Sequence, residues 1–159
     1  MRTAYRVLAS LVAFLVVVQA AAIAWAMTGL TAWVADGGTL DAAAMESGEE
    51  LFPEVVGFMV HGMNGMMLIP LVALALLVVS FVAHVPRGVA WAGGVLGLVV
   101  LQVLLGMFGH GLPLAGLLHG ANALVLLGVA STAARRAKPT DAPVVVPRAA
   151  EARPVGRTV

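Results

Sequence analysis

Four long apolar stretches, residues 7–28, 55–83, 88–109 and 113–134, set the limits on what this chain can fold into. Each supplies the roughly 20 residues that a helix needs to cross a hydrocarbon core about 30 Å thick. No alternation of period two runs through them, so transmembrane strands are excluded. With 61% of its 159 residues apolar and 11% charged, the chain lacks the polar surface of a water-soluble domain. Lipid must cover what a core cannot. The expected fold class is an all-α membrane protein, a four-transmembrane-helix antiparallel bundle.

Orientation follows from the basic residues, which resist export when they flank a span. Arg2 and Arg6 precede the first span, Arg87 lies between spans two and three, and Arg135, Arg136, Lys138, Arg148, Arg153 and Arg157 follow the fourth. The loop 29–54 carries Asp36, Asp41, Glu46, Glu49, Glu50 and Glu54 instead. Both termini are therefore expected in the cytoplasm and the loop outside, in a multi-pass protein of the plasma (inner) membrane. The formal net charge is only +1, so the basic residues read as topology signals and nucleic acid is not expected as a partner. Small residues around 22–26 resemble a signal-peptide cleavage site, but the apolar run of about 20 residues exceeds the usual 7–15, and the first span is expected to be retained. Cysteine is absent, which removes disulfides, thiolate metal sites and cysteine nucleophiles.

Between the spans, Asp36-Gly37-Gly38 marks a turn, and Leu40 to Leu51 is predicted to form a short interfacial helix ended by Pro53. Val85-Pro86-Arg87-Gly88 and Gly109-His110-Gly111-Leu112-Pro113 read as tight turns. Trp25, Trp33 and Trp91 fall where aromatic rings favour the headgroup region. Pro70 is predicted to kink span two. The transmembrane domain is read as 1–137, and the Pro-rich tail 138–159 is expected to be disordered.

Internal repetition is the most informative pattern. Span two contains Val60-His61-Gly62-Met63-Asn64-Gly65 and span four Leu118-His119-Gly120-Ala121-Asn122-Ala123. Span one contains Leu15-Val16-Val17-Val18-Gln19 and span three Leu98-Val99-Val100-Leu101-Gln102. Each half is thus a glutamine helix followed by a histidine helix, as expected of two repeated helical hairpins related by a pseudo-twofold axis along the membrane normal.

His61 and His119 each lie about six residues inside their spans, roughly 9 Å deep at 1.5 Å per residue. Gln19, Gln102, Asn64 and Asn122 fall in the same layer, and polar side chains in hydrocarbon turn towards the bundle interior. Gly57 and Gly65 share a face with His61, while Ala115 and Ala123 share one with His119 and Gly116 adds space before it. Two imidazoles at one depth, flanked by small residues that leave room for a flat macrocycle, describe a bis-histidine b-type haem site with His61 and His119 as the metal ligands. Gln19, Gln102, Asn64 and Asn122 would orient those ligands, and His110, near the outer mouth, would bond a haem propionate or a substrate. His84 reads as a boundary residue. Two other readings compete: small-residue faces that merely pack helices, with the histidines bonded to Asn or Gln, and a copper site using Met59, Met63, Met66, Met67 or Met107.

The start of span two, Val60 to Leu77, and span four with its lead-in, Leu101 to Leu127, resemble one half of haem A synthase. The likeness is sharpest around the two histidines and Leu112-Pro113-Leu114. The chain also resembles small actinobacterial four-helix membrane proteins of unknown function. The synthase resemblance implies haem held near the outer face by histidines of the second and fourth helices, the positions of His61 and His119. That family has a glutamate a few residues before a ligand histidine, whereas Val55 to Val60 contains no acid and Glu54 is the nearest carboxylate. The functional expectation is electron transfer or haem handling, alongside a redox or respiratory-complex partner or a second copy of the chain. The alternatives are a non-enzymatic accessory subunit and a haem-modifying oxidoreductase.

Overall fold

The computed structural model describes residues 1–47, 49–109 and 111–137. Helix α1 runs Arg2–Ala35 and the short α2 Ala42–Glu46. The second spanning unit is composite: a 3-10 turn at Pro53–Val55, α3 at Val56–Met63, a π-helical turn at Asn64–Leu68 and α4 at Ile69–Ser80. Helices α5 (Gly88–Gly109) and α6 (Pro113–Arg136) complete the chain. Four units, Arg2–Ala35, Pro53–Ser80, Gly88–Gly109 and Pro113–Arg136, are long and apolar enough to cross a membrane.

Local chemistry accounts for several boundaries. Pro113 opens α6, where its missing N–H costs nothing. Pro53 does the same for the second unit and does not end the preceding segment as the sequence suggested. The helix foreseen over Leu40–Leu51 shrinks to Ala42–Glu46, capped by Asp41, whose carboxylate accepts from the Ala44 N–H at 2.8 Å. Helix α1 is longer than its apolar run, because Ala, Thr and Trp carry it on to Ala35; its 34 residues extend about 51 Å, well beyond a hydrocarbon core. Pro70 cannot donate to the carbonyl four residues before it. The helix answers with a π turn just upstream, in which the Ile69 N–H reaches back five residues to the Asn64 carbonyl.

The helices form a ring: α1 packs on α6, α6 on α5, α5 on α4, and α4 on α1. The start of α1 meets the α4–α5 turn at one end. There Arg2 donates through Nε and Nη2 to the His84 carbonyl at 3.1 and 3.0 Å, and Tyr5 Oη donates to the Gly88 carbonyl at 3.0 Å. His84, exposed in that turn, and Arg87 both adopt left-handed backbone, with φ of 52° and 57°. The half of the bundle next to this end is packed solid around Tyr5, Val12, Leu76, Val95 and Ala130, all fully buried. Towards the other end α3 packs chiefly on α1, and α5 on α6, so the ring parts into two helix pairs. Large apolar side chains such as Phe14, Leu71, Val78, Leu104 and Leu117 face outward, as spanning helices require.

Candidate functional site

Each helix pair carries the same set of contacts. Between α1 and α3, the Gln19 side-chain amide donates to the His61 carbonyl at 2.9 Å, and His61 Nδ1 lies 3.2 Å from the Gln19 carbonyl oxygen. Between α5 and α6, the Gln102 amide donates to the His119 carbonyl at 3.0 Å, and His119 Nδ1 lies 3.0 Å from the Gln102 carbonyl oxygen. A carbonyl can only accept, so both Nδ1 atoms carry the proton. A neutral imidazole then has its lone pair on Nε2, across the ring from the glutamine helix.

The two rings meet across the parted bundle. Their centres are 6.0 Å apart and their planes 55° apart, so they are not stacked. Both imidazoles line a cavity of about 390 Å³, together with Gln19 and Gln102. That volume falls in the range of small-molecule and cofactor sites. Its floor is an apolar layer with one residue from each spanning unit, Val16, Ile69, Val99 and Leu126, which seals it from the packed half. Its walls are thin because Gly62, Gly65, Gly106 and Gly120 line it. Gly106 makes room for the imidazole: a Cβ there would stand 3.1 Å from His119 Cε1 and 3.2 Å from its Nδ1, a tight contact. A Cβ on Gly65 would collide with the Gln19 amide nitrogen.

The structure brings His61, His119, Gln19, Gln102 and Gly65 together as the sequence suggested, and distributes the remaining candidates elsewhere. Asn122 is buried and donates to the Leu98 carbonyl at 3.0 Å and to Gln102 Oε1 at 2.6 Å, so it holds a glutamine and not a histidine. Asn64 is 8% exposed, and neither of its amide atoms, nor Gln19 Oε1, has a partner among the described residues. Neither asparagine lines the cavity. Gly57 lies outside it too: a Cβ there would stand 2.6 Å from the Ala22 carbonyl oxygen, so Gly57 lets α3 approach α1. Gly116 faces open space, close to Gly109, and does not flank the imidazole. Glu54 covers Gly29 and is not part of the lining. His110 and the tail lie outside the described residues.

Met66 and Met107 line the cavity, one from each side of the gap between the second and third spanning units. Met59, Met63 and Met67 are exposed and do not line it. Gly106 and Ile23 were not singled out from the sequence, although each follows a layer glutamine by four residues and so shares its helix face. Among the described residues no group of three or more His, Cys, Asp or Glu side chains is placed to hold a metal ion. Among the described residues the lining offers two imidazoles and the thioethers of Met66 and Met107 as donors. Comparison of the chain with known protein families, curated proteins and solved structures finds no match. The likeness to half of a haem A synthase therefore rests on the quoted residues alone.

Proposed function

We propose that this chain binds b-type haem in the plasma (inner) membrane, where His61 and His119 would hold the iron, and serves electron transfer or haem handling. One observation carries the reading: two imidazoles, each anchored through Nδ1 to a main-chain carbonyl, face one cavity with ring centres 6.0 Å apart. Two imidazoles bonded on opposite sides of one metal at about 2 Å have ring centres roughly 6 Å apart. A Nδ1–H···O=C bond is also the usual support of a metal-bound histidine, fixing the tautomer and raising the basicity of the ligating nitrogen. The glycines of the wall leave room for a flat ring, and the apolar floor limits its depth.

Bound haem supplies a one-electron iron couple whose potential depends on its ligands and burial. The chain's own residues do the rest. The Gln19 and Gln102 carbonyls aim the imidazoles, and their side-chain amides tie each histidine helix to its glutamine helix. Copper is the poorer fit, because only Met66 and Met107 of the five methionines reach the cavity. Among the described residues no carboxylate lines the cavity, so the oxidation chemistry of the synthase has no acid here to move its proton.

The matching bonds also favour a duplicated hairpin with a pseudo-twofold axis. The arginines at the terminal end and the acids of the 36–54 segment favour termini in the cytoplasm. A redox partner would then approach the cavity end from outside the cell. The test is an absorption spectrum of detergent-purified protein expressed with ample haem. We expect a Soret band that is lost or shifted in His61→Ala and in His119→Ala. A colourless wild-type protein overturns the proposal and leaves an accessory role in which the Gln–His bonds only set helix register.

A further inference from the structure

Five described arginines stand at the end of the bundle that carries the start of α1 and the end of α6: Arg2, Arg6, Arg87, Arg135 and Arg136. Every described acid lies between residues 36 and 54, towards the other end. Two of the arginines reach across to the α4–α5 turn or to α5 itself. Arg2 holds the His84 carbonyl, and the Arg136 guanidinium sits 4.8 Å from the Trp91 ring centre.

Arg6 of α1 and Arg135 of α6 instead border one groove of about 230 Å³ between the first and last helices, with Ser10 and Ser131 beside them and Ala13 and Ala134 completing its lining. Arg135 donates one bond, to Thr132 Oγ1 at 2.9 Å, and keeps its other N–H donors. Thr28, Ser80 and Thr132 turn their hydroxyls back to helix carbonyls three or four residues earlier. Among the described residues the Ser10 and Ser131 hydroxyls make no such bond.

Two guanidinium groups, two available hydroxyl donors and, among the described residues, no acid in the lining are the chemistry of a phosphate site. We infer that this groove binds the phosphate of an anionic phospholipid headgroup, with acyl chain lying along α1 and α6. Lipid is favoured over free phosphate because the groove descends from Arg6 to Ala13, seven residues or about 10 Å along the helix, into the apolar span. A headgroup ammonium would meet two like charges there, which selects against zwitterionic lipid.

The test uses the full chain in detergent with added phosphatidylglycerol, phosphatidylcholine or inorganic phosphate, read by native mass spectrometry and by the thermal unfolding midpoint. Phosphatidylglycerol is expected to be retained at one molecule per chain and to raise the midpoint, whereas the other two do neither. Arg6→Gln and Arg135→Gln should each weaken phosphatidylglycerol retention about fivefold. Arg87→Gln, at the same end but outside the groove, should bind as the wild type does. Arg135→Lys keeps the charge and should keep most of the binding, which separates a lost site from a misfolded variant. Equal retention of phosphatidylcholine, or an equal loss in Arg87→Gln, overturns the inference. Stabilisation by inorganic phosphate alone overturns the lipid assignment and transfers the groove to a soluble anion.

Discussion

The two helix pairs that flank the cavity carry the same residues but do not finish them in the same way. In the α5/α6 pair, Asn122 bonds both the Leu98 carbonyl and Gln102 Oε1, so the layer from Gln102 to Asn122 is a closed network. In the α1/α3 pair, Asn64 occupies the corresponding place in the motif, yet its amide and Gln19 Oε1 have no partner among the described residues. A backbone difference accompanies this one. Asn64 begins the π turn, and α6 has no such turn. The π turn precedes Pro70, and α6 contains no proline after Pro113. Identical motifs therefore produce one saturated and one unsaturated half.

The sharpest way to break this comparison is to remove each asparagine in turn. Asn122→Leu strips partners from Gln102 Oε1 and the Leu98 carbonyl and should cost about 1–3 kcal/mol. Asn64→Leu removes a buried amide that bonds nothing among the described residues and should be close to neutral or stabilising. Reversible unfolding in mixed detergent measures both, and equal losses would show that the halves are energetically alike.

A smaller effect is expected from the glycines that seat the side chains. Gly65→Ala displaces the Gln19 amide and should cost the equivalent of one interhelical hydrogen bond, about 0.6–1.7 kcal/mol. Gly106→Ala presses on the His119 ring a few tenths of an ångström inside van der Waals range and should change stability less, while altering any His119-dependent absorption band. If Gly106→Ala leaves the spectrum of a haem-loaded protein untouched, the His119 ring is less tightly held than its contacts imply.

The smallest expected change is Pro70→Ala. It restores a backbone donor and removes the reason for the π turn, with a gain below about 1 kcal/mol. Amide hydrogen exchange over residues 64–70 should slow if the turn reverts to α-helix. Unchanged exchange would mean that the packing of α3 on α1, and not Pro70, imposes the turn.

Much of this was legible in the sequence. Hydropathy and length determine four spanning helices, because a backbone in hydrocarbon must satisfy its own hydrogen bonds and a helix does so locally. The repeated His-Gly-x-Asn motif pointed to His61 and His119, since a polar side chain at that depth has nowhere favourable to go but inward. A bond from each histidine to Asn or Gln was one of the competing readings; that the main-chain carbonyls of Gln19 and Gln102 hold the rings required the helices to be set side by side. Gly57 and Gly116 look alike in a one-dimensional stripe, yet one touches a neighbouring backbone and the other meets open space. Stripes locate a face but not what stands against it. The split of the bundle into a packed half and an open half, the floor of Val16, Ile69, Val99 and Leu126, and the different fates of Asn64 and Asn122 belong to the tertiary structure alone. They depend on how the axes of four separate helices diverge and on one local change of helical pitch, quantities that composition and periodicity along a single chain do not contain.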